Sequence, residues 1–148
     1  MIEQVPMPDL DDEDHAAFWE YCRHGELRIQ ACERCGRLRF PPRPMCPWCN
    51  SLSSTWRPVS GRGSVWSYIV PHPPLLPALT PLAPYNVVVV VLEEDPTLRL
   101  VGNLVTSPDG AINEVDPSSI TIGEPVRVVF SPVADDLTLP RWVRSSAS

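Results

Sequence analysis

Two cysteine pairs constrain this chain more than any other feature: Cys32-Glu33-Arg34-Cys35, a spacer of ten residues, then Cys46-Pro47-Trp48-Cys49. A gap of two residues lets one tight turn aim both thiolates of a pair at a single ion, and two such turns facing each other complete the tetrahedral sulfur site that Zn²⁺ prefers. Four thiolates leave no position open for water or substrate, so the metal is read as a folding device. Iron of the rubredoxin type takes the same ligands, and a secreted chain can close them as two disulfides. Against secretion, the first fifteen residues are acidic and lack the apolar stretch of a leader peptide. Free thiolates fit a reducing, cytoplasmic setting. Cys22 stands apart among Phe18, Trp19 and Tyr21 and reads as a small buried apolar residue.

With 148 residues the chain is long enough for one ordinary domain or two small ones. No apolar run approaches the length of a membrane span; the longest strong one covers residues 87–92. The net charge of −6 is unevenly spread. Residues 1–19 hold six acids and no base, residues 20–62 hold eight arginines against three glutamates, and residues 63–148 hold nine acids against four arginines. All twelve basic residues are arginine. Without lysine the chain offers no side-chain amine for a Schiff base and no P-loop lysine.

Residues 1–10 read as disordered, and residues 11–24 as a short helix capped by Asp11 and stopped at Gly25. His15, Phe18, Trp19 and Cys22 form its apolar stripe. A strand over residues 27–31 leads into the first cysteine turn, and Pro41-Pro42-Arg43-Pro44 leads back into the second, which is the pattern of a rubredoxin-like zinc ribbon. Gly61-Arg62-Gly63 marks a break. Beyond it, strands are expected over residues 64–70, 85–92, 98–104, 126–130 and 137–143. Val65, Ser67 and Ile69 are expected on one face of the first, with Trp66, Tyr68 and Val70 on the other. The valine run at 87–91 suggests a strand buried on both faces, and Pro140 puts the last strand at an edge or a bulge. The expected fold is mainly β: an N-terminal segment and helix (1–25), a zinc ribbon (26–60), and a five-stranded OB-type barrel (61–148).

Between the first two barrel strands, residues 71–84 include six prolines together with Leu75, Leu76, Leu79 and Leu82. Proline removes backbone donors and stiffens the segment, which suggests an ordered, extended apolar arm. Its leucines either cap the barrel or meet a partner or ligand. Catalytic apparatus is hard to assemble from this chain. No serine sits in a nucleophile elbow, His15 and His24 belong to the helix region, and His72 lies between prolines with no evident partner. The Glu93-Glu94-Asp95 run before Pro96 reads as a solvated turn. Trp66 and Tyr68 offer a stacking platform for a nucleic acid, but the acidic balance of the barrel half opposes binding to phosphate backbones.

The order of features is specific: a short aromatic helix, Gly25-Glu26-Leu27, the first cysteine pair with Gly36, Pro41-Pro42-Arg43, and Cys46-Pro47-Trp48-Cys49. Gly61-x-Gly63, Pro84-Tyr85 and Leu139-Pro140-Arg141-Trp142 follow. Over residues 12–143 this resembles the acyl-CoA-associated zinc-ribbon/OB-fold family known as domain of unknown function thirty-five. Members accompany thiolase-fold enzymes acting on acyl-CoA esters, as separate small subunits or fused to a hydratase of the MaoC-like fold. The arginine-rich, lysine-free composition is similar to the aldolase-associated domain of steroid side-chain enoyl-CoA hydratases, whose partner aldolase cleaves a carbon–carbon bond. The family often carries a longer helical N-terminus than this chain has. The resemblance implies one structural Zn²⁺ on Cys32, Cys35, Cys46 and Cys49, and a subunit non-catalytic alone that completes a thiolase-fold partner with an acyl-CoA ester at or near the interface. Arg34, Arg37, Arg39 and Arg43 offset the −2 charge of the metal site and are candidates for the CoA phosphates. His72, Leu75, Leu76, Leu79 and Leu82 are candidates for the partner interface. The alternatives are a subunit of an acyl-CoA thiolase/synthase complex and a nucleic-acid-binding OB-fold protein.

Overall fold

The computed structural model of the chain describes residues 5–145; residues 1–4 and 146–148, the outer ends of the first and last regions expected from sequence, lie outside the described residues. The helix, α1, covers Ala16–Arg23 and so begins later than a cap at Asp11 requires. The aspartates themselves delay it. The Asp11 N–H donates to the Asp9 carboxylate at 3.0 Å and the Asp14 N–H to the Asp12 carboxylate at 2.9 Å. Such local bonds satisfy the backbone outside a helix and compete with it. At the other end Gly25 takes a φ of +74°, and the Glu26 N–H reaches back to the Tyr21 carbonyl at 2.9 Å, a left-handed stop that suits glycine. Eight residues are too few for a stable helix alone; burial of Phe18 and Cys22 holds it in place.

The ribbon is a three-stranded antiparallel sheet of β1 (Arg28–Cys32), β2 (Leu38–Arg39) and β3 (Ser54–Pro58), in the order β2-β1-β3. The sequence reading has no strand at β3, and the reason is physical. Ser-Thr-Trp-Arg-Pro buries little, with Thr55, Arg57 and Pro58 exposed, so no hydrophobic alternation announces it.

The second sheet contains β4 (Arg62–Ile69), β5 (Val87–Leu92), β6 (Arg99–Gly102), β7 (Pro125–Ala134) and β8 (Leu137–Arg144), in the order β6-β5-β4-β7-β8. Its two edges meet. Leu104, just past β6, bridges Trp142 of β8 in parallel; the Val105 N–H donates to the Trp142 carbonyl at 2.8 Å and the Trp142 N–H to the Asn103 carbonyl at 3.0 Å. The curled sheet is thereby closed into a barrel, and β8 tolerates Pro140 at its edge. Asn86 secures the closure from inside. It is fully buried, its Nδ2 donates to the Leu104 carbonyl at 2.9 Å, and its Oδ1 accepts the Leu104 N–H at 2.7 Å.

Three expectations need correction. The valine strand β5 is buried on one face: Val88, Val90 and Leu92 are in the core while Val87, Val89 and Val91 are half-covered. In β4 a bulge between Val65 and Ser67 breaks the alternation. Val65 pairs with Val90 and Tyr68 with Val88, so both face the core, whereas Trp66 turns outward. Trp66 and Tyr68 therefore share no face, and the Arg99 guanidinium lies 4.0 Å from the Trp66 ring centroid. The segment at residues 71–84 is not uniformly extended: the Leu76 carbonyl accepts the N–H groups of Leu79 and Thr80, and Thr80–Leu82 forms a 3-10 turn.

One hydrophobic cluster runs through the molecule, from Phe18 and Cys22 of α1 through Ile29 and Ala31 of β1 to Val65, Val88, Val90 and Trp142 of the barrel. Helix, ribbon and barrel are packed around common side chains.

Candidate metal centre and docking surface

The two cysteine turns are built alike. The Gly36 N–H donates to the Cys32 carbonyl and the Asn50 N–H to the Cys46 carbonyl, both at 2.9 Å. The residue after the second cysteine of each pair takes positive φ, +76° at Gly36 and +63° at Asn50, the region glycine and asparagine enter most readily. Each turn thus points two sulfurs to the same side. The four Sγ atoms lie within 4.8 Å of one another, with Cys32 to Cys49 at 3.5 Å and Cys35 to Cys46 at 3.6 Å. A tetrahedral ion with Zn–S bonds of about 2.3 Å needs sulfurs roughly 3.8 Å apart, so the donor set fits Zn²⁺ in both number and spacing.

Local dipoles prepare the ligands for a cation. The Cys35 N–H points at the Cys32 sulfur at 3.4 Å and, outweighing burial, brings the Cys32 thiol down to about 6. At Cys49 the Ser51 N–H pulls the same way, but burial and the sulfurs of Cys32, Cys46 and Cys35 prevail and push that thiol up to about 11. Cys22 belongs to a different environment, where burial alone pushes its thiol up to about 12.

Gln30 braces the centre, a role no local pattern reveals. It is buried on β1, its Nε2 donates to Ser54 Oγ at 3.1 Å, and its Oε1 accepts the Arg43 N–H at 2.7 Å. Arg39 takes the Arg43 carbonyl through Nη2 at 2.9 Å. Both backbone groups of Arg43 are therefore fixed, which seats the proline-rich approach to the second cysteine pair.

The four knuckle arginines fall into different settings. Arg34, Arg37 and Arg43 are exposed, Arg37 lies 5.2 Å from the Trp48 ring centroid, and Arg39 is buried. The arm also divides. His72 and Leu76 are exposed, while Leu75, Leu79 and Leu82 are half-buried. Leu79 and Leu82 line an apolar groove of about 540 Å³ together with Tyr85, Val101 and Leu139, and residues 5–8, expected to be disordered, run along it.

Family models match both halves: the rubredoxin-like zinc ribbon domain of ChsH2 over residues 19–53 and its C-terminal OB-fold domain over residues 56–131. The chain belongs to the DUF35 family of zinc-ribbon/OB-fold proteins. A DUF35 domain-containing scaffold protein of Methanothermobacter thermautotrophicus is 37% identical over 71% of each chain. The 3-oxo-4,17-pregnadiene-20-carboxyl-CoA hydratase alpha subunit of Mycobacterium tuberculosis is 35% identical over 87% of this chain and 35% of its own length. The chain spans little more than a third of the length of the hydratase subunits it matches. Among solved structures, a chain of the Ltp2-ChsH2(DUF35) aldolase is 36% identical, with a TM-score of 0.78 over 96% of this chain and 100% of that one. For a DUF35 protein, four converging cysteines in a rubredoxin-like ribbon make a centre for one structural zinc.

Proposed function

We infer that this chain is a non-catalytic accessory subunit that binds and completes a thiolase-fold enzyme acting on acyl-CoA esters, namely an aldolase cleaving a carbon–carbon bond in steroid side-chain CoA degradation. The observation that carries this reading is the likeness, over the whole length of the matched chain, to a chain of the Ltp2-ChsH2(DUF35) aldolase. The site chemistry agrees with it. A tetrathiolate metal is coordinatively closed and holds structure rather than polarising a substrate. The surface is suited to docking, since Val101, 68% exposed, lines the apolar groove, and Leu76, 48% exposed, belongs to the arm that supplies Leu79 and Leu82 to it. In this reading Leu75, Leu76, Leu79, Leu82 and His72 meet the partner, and the knuckle arginines Arg34, Arg37, Arg39 and Arg43 face the CoA phosphates. The partner brings the nucleophile and the oxyanion donors.

The likeness to a DUF35 scaffold protein supports a second reading, a subunit holding together an acyl-CoA thiolase/synthase complex. One experiment addresses both. Tagged chain is recovered from its native cell extract under gentle conditions, and the bound protein is identified by mass spectrometry. A stoichiometric thiolase-fold protein is expected, with its cleavage or condensation activity deciding between the two readings. Recovery of the chain bound to nucleic acid, or free of any stoichiometric partner, contradicts the accessory role.

A further inference from the structure

We propose that the cavity between the second cysteine turn and the β5–β6 turn is an oxyanion site that holds one phosphate monoester group. The cavity has a volume of about 140 Å³, and Arg39, Arg43, Phe40, Trp48, Thr97 and Leu98 are among the residues lining it. Arg39 is only 3% exposed. One of its nitrogens, Nη2, donates to the Arg43 carbonyl; Nε and Nη1 are both buried and meet no acceptor. A guanidinium withdrawn from water requires an opposite charge and acceptors for its N–H groups.

The protein supplies no opposite charge, and an acceptor for Nη2 alone. Among the described residues Arg39 enters no ion pair. The acid nearest in sequence to the lining residue Thr97 is Asp95, whose carboxylate instead accepts the N–H and hydroxyl of Thr97 at 2.8 and 2.7 Å. The metal centre does not absorb the charge either. Residues 26–60 carry six arginines against two glutamates, and a Zn²⁺–tetrathiolate of charge −2 leaves two positive charges over.

The ligand class follows from charge and shape. Two arginines and no carboxylate line the cavity, which matches a group of charge near −2 at neutral pH, as a phosphate monoester carries. Arginine donors match phosphate oxygens in geometry, and the bond is charge-assisted. The volume admits the phosphate group and leaves the rest of its molecule outside. The site deepens the functional reading above, and rests on it only for the source of the phosphate, a CoA ester with its single monoester group.

The test uses the zinc-loaded chain without any partner. Inorganic phosphate is titrated at constant ionic strength, with acetate and chloride as controls, while tryptophan fluorescence and the thermal midpoint are followed. Phosphate is expected to raise the midpoint saturably and to change the fluorescence through Trp48. Arg39→Gln should weaken phosphate binding about tenfold or more, and Arg43→Gln should weaken it measurably. The exposed Arg43 side chain keeps the test valid if Arg39→Gln fails to fold. CoA should compete with phosphate, and dephospho-CoA should do so about tenfold less well. Equal effects of all three anions, acetate binding as tight as phosphate, or unchanged binding by both variants would each overturn the proposal. Because no partner is present, that failure stays separate from a failure of partner docking.

Discussion

At the scale of single residues, the ones that carry most weight are not all apolar. Asn86 satisfies both backbone groups of Leu104 where the barrel closes, so Asn86→Ala strands a buried N–H and a buried carbonyl together. Denaturant unfolding should report a loss of about 2–5 kcal/mol, and a loss below 0.5 kcal/mol would show that water replaces the amide at little cost. Cys22 tests the core from the other side. Burial pushes its thiol up to about 12, which keeps it protonated and unreactive through neutral pH. In the zinc-loaded folded chain, iodoacetamide at pH 8 should leave Cys22 unmodified by mass spectrometry, with alkylation only after unfolding; labelling at the rate of a free thiol contradicts the packing. The cysteine ligands are legible in sequence because metal chemistry imposes their spacing. Asn86 and Gln30 are not, since a buried amide is defined by partners eighteen and thirteen residues away.

At the scale of elements, the zinc ribbon is held by ligands more than by its short strands, β2 having two residues. Binding of structural zinc contributes about 10–16 kcal/mol in small ribbons and fingers, and that energy is folding energy. Gently purified protein should contain one zinc per chain, and either chelation or Cys46→Ser should abolish the ribbon signals in an NMR spectrum; a metal content below about a tenth of an equivalent contradicts the site. The arm separates folding from docking. Leu76 is exposed, so Leu76→Ser should leave the thermal midpoint of the isolated chain unchanged while partner affinity drops by about 1.5–3 kcal/mol. Leu79 lines the groove, and its replacement should lower both. A destabilised Leu76→Ser monomer with unaltered partner binding would defeat the interface. Barrel strands with clear alternation are legible from sequence. The bulge in β4 and the mostly exposed β3 are not, because each depends on a neighbouring strand rather than on its own pattern.

At the scale of the whole molecule, a ribbon and a barrel share one apolar cluster, with α1 packed into it through Phe18 and Cys22. Glu93 and Glu94 lie exposed in a turn, as expected, and also bond across the junction: Glu94 accepts the Ser60 N–H at 2.7 Å and Glu93 pairs with Arg62 at 2.8 Å. The architecture is legible because the metal motif, the glycine break and the spacing of strands point the same way. The relation between the two halves is not, since packing across a junction leaves no periodic trace. In the proposed function this molecule completes an active site it does not contain. The most direct measurement is turnover of a steroid side-chain β-hydroxyacyl-CoA ester by the pure chain, by a pure thiolase-fold partner, and by their stoichiometric mixture. The proposed accessory role requires no carbon–carbon cleavage by the chain alone and at least about tenfold more by the mixture than by the partner. Reproducible cleavage by the pure chain, or a mixture no faster than the partner by itself, would contradict it.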